Sequence, residues 1–440
     1  MFAVWANCGF FWIASLGAAV LIYQNEEKET MNRISLFLAS SLILSAFMIF
    51  GDQEEEILRL RIGDKALREK TMAVSTGKIY AANTGNPVSF DEMIRRMAKS
   101  RLVYVGETHN SLPMHRIQAK IIQGLYEQDG DLTVGMEMYP ITQQEALNKW
   151  SLGILTEEEF IREGQWYVNW NFHFGFYQDI FRVVKKNAIP LYALNVPRDI
   201  ITKVRMRSWE ALSEQEKGMV PEPDLTHQDH RTLIRTIFEG ADLPHQMKEK
   251  GLEMAFEGLY RAQTAWDETM AHHALGALNK EGGKIVVLAG SGHLLYNLGI
   301  NLRAYNKSRM PFKTVVCVVI PKGKKSVEVS CSLADYVWGL PEEVRPVYPS
   351  VGLRFKKFEG LENLVIERDP IDGVTKGADF KKGDVLLSVD GKKHVDINEL
   401  RIYLARFTWG DQVAFQLIRD AQQIEVLLKF QMPEDDTENP

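Results

Sequence analysis

Five short runs of almost unbroken Val, Leu, Ile and Met limit this chain's fold most strongly. They are Leu102 to Gly106, Leu132 to Met138, Ile189 to Asn195, Lys284 to Gly290 and Thr314 to Ile320. Strands this apolar on both faces belong to parallel sheets covered on each side. Helical patterns lie between them: Ile117, Ile121, Ile122 and Leu125 share one face at helical spacing. Thr142 with Glu145, Thr156 with Glu159, and Ser213 with Glu216 have the spacing of capping boxes. The alternation predicts an α/β domain, a mainly parallel sheet with flanking helices. At 440 residues the chain has room for two or three folded units.

The N-terminus reads as a signal or anchor region over 1–51. Phe2 to Tyr23 is uncharged and long enough to span a bilayer. A second apolar run, Ile34 to Gly51, follows a polar linker. Either the chain begins with a membrane hairpin, or Met31 is the true start and Ile34 to Phe50 is the core of an export signal or anchor; the second reading is favoured. Lys28 and Arg33 precede the second run and favour staying inside, and both readings send everything after Asp52 outside. The expected location is therefore the cell envelope: the extracytoplasmic face of the membrane, or the periplasm.

The remaining boundaries follow from composition. A charged stalk is expected over 52–77, the α/β domain over 78–321 and a proline-bearing linker over 322–348. A small β-rich module is expected over 349–432, with a disordered tail at 433–440. The 52 Lys and Arg against 58 Asp and Glu give a net charge of −6, and no basic block is present to track phosphates. Nucleic-acid binding is therefore excluded as an expectation. Three cysteines are too few for a disulfide scaffold. Cys317 and Cys331 are read as unpaired, one bridge between them being the alternative.

Three of the apolar runs end in polar residues able to do chemistry. The first runs into Glu107 and His109, the second into Glu137, and the fourth into Gly290-Ser-Gly-His293. Open parallel sheets bind ligands outside the carboxyl ends of their strands. Glu107, His109, Glu137 and His293 are thus a candidate divalent-metal or acid–base site, catalytic if the protein is a hydrolase. The competing reading is structural, with both glutamates capping helices and pairing with the histidines. His227 and His230, set among Asp224, Asp229 and Arg231, read as solvated surface. Trp166, Trp170, Phe172, Phe174 and Phe176 read either as core or as walls for a flat macrocycle.

Gly106-Glu-Thr-His109, Glu137, the run from Gln263 to Ala271 and Gly290-Ser-Gly-His293 resemble the ChaN-like family. Trp166, Trp170, Phe176-Tyr177 and Ala193 to Pro197 add to the likeness, which covers roughly 78–321. The resemblance implies an α/β fold shared with Tiki-type proteases and erythromycin-esterase-like proteins. It also implies haem bound by a tyrosine at a homodimer interface; Tyr139, Tyr167 and Tyr177 are the candidate ligands. The family's lipoproteins carry a lipidated cysteine after the signal, and none lies between Ile34 and Asp52.

The stretch from 349 to 430 resembles a PDZ domain, most clearly over Gly377 to Gly391. The resemblance implies a carboxylate-binding loop at Ser350, Val351, Gly352 and Leu353, with Phe355 on the groove strand. Peptide or protein C-termini are then the expected partners. Two functions follow from these readings. One is an extracytoplasmic haem- or iron-binding protein whose PDZ domain recruits a partner. The other is a metal-dependent hydrolase, protease or esterase, with substrate presented by that domain.

Overall fold

The computed structural model describes residues 52–240, 249–343 and 345–432. The predicted membrane segment at 1–51 and the tail at 433–440 lie outside the described residues. Among the described residues, no helix is long and apolar enough to cross a membrane. The chain divides into two compact units. Of the described residues, one comprises Gln165–His173 with the chain from Pro346 onwards, and the other those of 52–164 and Phe174–Arg345.

The larger unit is built on ten strands. They are β1 (Thr71–Ser75), β2 (Ile79–Ala81), β3 (Asn86–Val88), β4 (Leu102–Glu107) and β5 (Leu132–Pro140), then β6 (Leu191–Asn195), β7 (Lys284–Gly290), β8 (Phe312–Ile320), β9 (Ser326–Ser330) and β10 (Tyr336–Pro341). Eight form one sheet in the order β3-β2-β10-β8-β4-β7-β5-β6. The pairs from β10 through β6 are parallel, while β2 and β3 are antiparallel additions at one edge. All five predicted runs are strands of this sheet. Every residue of β4, β5 and β7 is buried, which is why those runs lack polar alternation. Helix Leu112–Asp129 buries the predicted Ile117, Ile121, Ile122 and Leu125. The long helix Glu249–Glu281 places Met270, Ala271, Ala274 and Leu278 in a core cluster with β7 residues.

Three local expectations are corrected. The 52–77 stretch is not a free stalk. Its helix Asp52–Leu58 buries Ile57 and Leu58 in the core, and β1 pairs antiparallel with β9. The supposed linker 322–348 supplies that β9, together with β10, an interior strand between β8 and β2. Both stretches carry apolar residues at alternate positions, and Met72 and Val74 share one cluster with Val327 and Val329. Burial of that stripe outweighs the surrounding charge. Capping boxes form at Thr156–Glu159 and Ser213–Glu216. None forms at Thr142, because a 3₁₀ turn over Ile141–Gln143 makes Gln143 the cap. Cys317 and Cys331 are free.

The smaller unit holds five antiparallel strands in sequential order. They are β11 (Phe355–Lys357), β12 (Leu364–Ile366), β13 (Val385–Val389), β14 (Gln412–Arg419) and β15 (Gln422–Lys429). Helix Ile397–Leu404, capped by Asp396, contributes Leu400 and Leu404 to a core with Phe355, Phe415 and Phe430. Residues Gln165–His173 belong to this unit despite their place in sequence. The Tyr167 backbone N–H donates to Asn398 Oδ1 (3.2 Å), and Arg401 donates to Asn171 Oδ1 (2.6 Å).

Candidate functional site

Strands β4, β7 and β5 are neighbours in the middle of the sheet, and their carboxyl ends gather the predicted quartet. Glu107 is the last residue of β4, and His109 follows two residues later. Glu137 lies where the β5–β6 register shifts between Met136 and Pro140. Such irregularities re-aim a side chain out of the ladder. His293 closes a 3₁₀ turn directly after β7. Two glycines make the approach possible. A Cβ at Gly290 would lie 2.8 Å from the His109 ring, and one at Gly299 would lie 1.9 Å from the His293 carbonyl oxygen.

Each histidine leans on a buried carboxylate. His109 Nδ1 lies 2.6 Å from Glu107 Oε1, and His293 Nδ1 lies 2.6 Å from Asp267 Oδ1. Behind each carboxylate stands a second buried histidine. His115 Nε2 is 3.3 Å from Glu107 Oε2, and His230 Nε2 is 3.2 Å from Asp267 Oδ2. Glu137 sits between the two front histidines. Its Oε2 accepts from the Gly290 N–H at 2.7 Å, and its Oε1 is 3.5 Å from His293 Nε2. The side chains of His109, Glu137 and His293 retain 11%, 9% and 7% exposure, whereas those of Glu107, Asp267, His115 and His230 have none. The first three keep some exposed surface, and the other four are fully enclosed behind them.

The electrostatics follow from this crowding. Burial alone would raise the Glu107 carboxyl, but the adjoining His109 and His115 outweigh it and hold it at about 2. Asp267 is likewise held at about 2, with His293, His230 and Arg303 outweighing burial. Burial disfavours a charged His293, yet Glu137 and Asp267 overcome that and push it up to about 10. His109 is raised too, chiefly by Glu107 against burial. At neutral pH His293 is therefore a cationic imidazole set among carboxylates.

The predicted quartet is thus brought together, but as internal pairs. Among the described residues no group of three or more His, Cys, Asp or Glu is spaced to hold a metal ion. His230, expected on the surface, is fully buried, and His227 caps its helix Gln228–Glu239. Its neighbours Leu233, Ile234 and Ile237 form a buried stripe, the signal that places this helix face inward. His115 and Arg303 escaped the sequence reading because neither ends a strand. Asp267 and Gln263 stood within the family-like run without being assigned a site role.

The candidate haem tyrosines are all buried. Tyr139 is fully buried, its ring 5.8 Å from Phe160 and 6.3 Å from Phe181. Tyr177 is fully buried against His115 (4.0 Å between ring centroids), and its hydroxyl donates to the His109 carbonyl at 3.4 Å. Tyr167 is 6% exposed and belongs to the smaller unit. As they stand, these three offer no open face to a macrocycle. The aromatic cluster is divided: Trp166, Trp170 and Phe172 lie in the smaller unit, Phe174 and Phe176 in the larger.

In the smaller unit, Gly352 takes a φ of 77°, and a Cβ there would lie 2.1 Å from the Asp372 carbonyl oxygen. The Val374 N–H donates to the Ser350 carbonyl, and Thr375 Oγ1 donates to that of Val351. These bonds fix the shape of the Ser350–Leu353 loop. Leu353 and Phe355 point into the core, and β11 is one of the sheet's two edge strands.

Residues 93–303 match the family model described as haem-binding uptake, Tiki superfamily, ChaN, and 349–430 match that of the PDZ domain. No curated protein matches the chain. A solved structure titled for cofacial haem binding to ChaN of Campylobacter jejuni is 20% identical. It covers 59% of this chain and 95% of that one, with a TM-score of 0.47. A mutant erythromycin esterase in its open conformation is 10% identical over 84% of this chain and 100% of its own, with a TM-score of 0.34. The serine endoprotease from Yersinia pestis is 22% identical over 20% of this chain and 30% of its own, with a TM-score of 0.17. The chain carries a ChaN-like domain of the haem-binding uptake, Tiki superfamily, followed by a PDZ domain.

Proposed function

We propose that the ChaN-like domain is an extracytoplasmic hydrolase working by acid–base chemistry, with its PDZ domain recruiting polypeptide C-termini. The meeting of two histidine–carboxylate pairs at Glu137 carries this reading. His109, backed by Glu107, takes a proton from attacking water. His293 stays protonated between Asp267 and Glu137, and so serves as the cationic donor that stabilises the developing oxyanion. Environments that set two titratable groups to different tasks are a mark of such sites. An extended peptide adds beside β11, its carboxylate capped by the Ser350–Leu353 loop.

The purified full-length protein is expected to hydrolyse p-nitrophenyl acetate after exhaustive treatment with EDTA, and His109→Asn to lose at least about 10-fold in kcat. Activity abolished by EDTA and restored by a divalent metal would establish the metal-dependent hydrolase instead. Haem is the second reading, favoured by the family description matched over 93–303. It requires the packing around Tyr139, Tyr167 or Tyr177 to open. A Soret band on titration with haem, lost in one Tyr→Phe variant alone, would establish it together with its ligand.

Export rests on the two apolar runs and on Lys28 and Arg33. A reporter active only after export, fused after Lys70, is expected to be active. An inactive fusion beside an active cytoplasmic reporter at the same point would overturn the topology.

A further inference from the structure

The support behind His293 contains a group whose hydrogen-bonding state is fixed by its neighbours. Arg303 lies on helix Ile300–Ser308 and is 4% exposed. Its Nη1 donates to the carbonyls of Leu298 and Gly299, and its Nη2 lies 3.2 Å from His230 Nδ1. A guanidinium only donates, so Nδ1 of His230 must accept. The proton of a neutral His230 then sits on Nε2, which faces Asp267 Oδ2 at 3.2 Å. Neither of those two atoms has a hydrogen-bond partner, so what joins them is the close polar approach itself. Burial, aided by the Arg303 charge and opposed by Asp267, lowers His230 from its ordinary value and so favours the neutral form.

We propose that His230 and Arg303 are positioning residues: Arg303 fixes the His230 tautomer, and His230 in turn orients Asp267 toward His293. A carboxylate's terminal torsion is broad when nothing holds it. With Oδ2 against His230, Asp267 presents Oδ1 to His293 Nδ1 at 2.6 Å, beside Gln263 Nε2 at 2.8 Å, and the ring's Nε2 lies 3.5 Å from Glu137. Outer partners of this kind decide ring orientation in other histidine sites. In its catalytic consequence the proposal rests on the hydrolase reading. Its structural content does not.

The test uses full-length protein labelled with ¹⁵N-histidine, carrying His230→Gln or His230→Met. Glutamine donates to Asp267 from its amide nitrogen and accepts from Arg303 at its oxygen, whereas methionine fills the space with neither group. The downfield Nδ1–H resonance of His293, identified by its absence in His293→Gln, is expected to stay in place in His230→Gln. In His230→Met it is expected to move upfield or broaden. With p-nitrophenyl acetate, His230→Met should lose about 10- to 100-fold in kcat at unchanged KM, while His230→Gln behaves like the parent. A resonance and kcat unmoved in His230→Met, or both lost in a folded His230→Gln, would overturn the proposal. Should His230→Met fail to fold, the resonance in His230→Gln decides alone. If no form hydrolyses the ester but the resonance follows the expected pattern, the hydrolase reading falls and the positioning role stands.

Discussion

Replacing Asp267 by alanine is expected to cost roughly 3–5 kcal/mol of unfolding free energy, the range for removing one partner of a buried charged pair. Asp267 has no exposed surface and is approached from three sides, by His293 at 2.6 Å, His230 at 3.2 Å and Arg303 at 3.9 Å. Alanine leaves the His293 imidazolium with Glu137 as its remaining carboxylate, and the Arg303 guanidinium facing Glu268 across 3.6 Å. Neither cation can turn to water. An exposed pair provides the contrast: Arg61 and Glu69 are 3.5 Å apart with side chains 80% and 61% exposed. Arg61→Ala should therefore shift stability by no more than about 1 kcal/mol. Denaturant unfolding followed by tryptophan fluorescence measures both. Equal, small losses would mean that the cluster is hydrated and that its pairs are as weak as those on the surface.

The central sheet was legible because strands buried on both faces leave a nearly pure apolar signal, and β4, β5 and β7 are buried at every residue. The same clarity brought out Glu107, Glu137 and His293, polar residues that interrupt or follow those runs. The edges were harder to read. β1 and β9 are half-exposed strands of five residues, and their charged neighbours made them look like a stalk and a linker. The rear of the site was hidden for another reason. His115, His230, Asp267 and Arg303 come from four different helices, and only tertiary packing brings them behind His109 and His293. Polar residues on a helix read as its wet face unless the apolar stripe beside them is traced first. For His230 that stripe is Leu233, Ile234 and Ile237. The assignment of Gln165–His173 to the smaller unit had no sequence signal, since its contacts with Asn398 and Arg401 join residues more than two hundred positions apart.

The same cluster predicts an asymmetric pH profile of stability. His293 is pushed up to about 10 from an ordinary 6.5, with Glu137 and Asp267 overcoming burial. A raised folded-state value means that the protonated form is the one folding favours. The stabilisation from His293 is therefore complete below about 6.5 and drains away as pH rises through about 10. Glu107 and Asp267 run the other way. Held at about 2, they contribute fully above the ordinary carboxylate range and lose that contribution as pH falls through their folded values. Maximum stability from this site accordingly lies on the mildly acidic side of neutrality. His293→Gln isolates the alkaline limb, because glutamine carries no charge to lose. The stability gap between parent and variant should be wide near pH 6 and should narrow steadily toward pH 10. The acid limb should survive in the variant, since Glu107 keeps His109 and His115. Thermal melts across the pH range measure the gap, and one that stays constant or widens above pH 7 would show that His293 is not held protonated between Asp267 and Glu137.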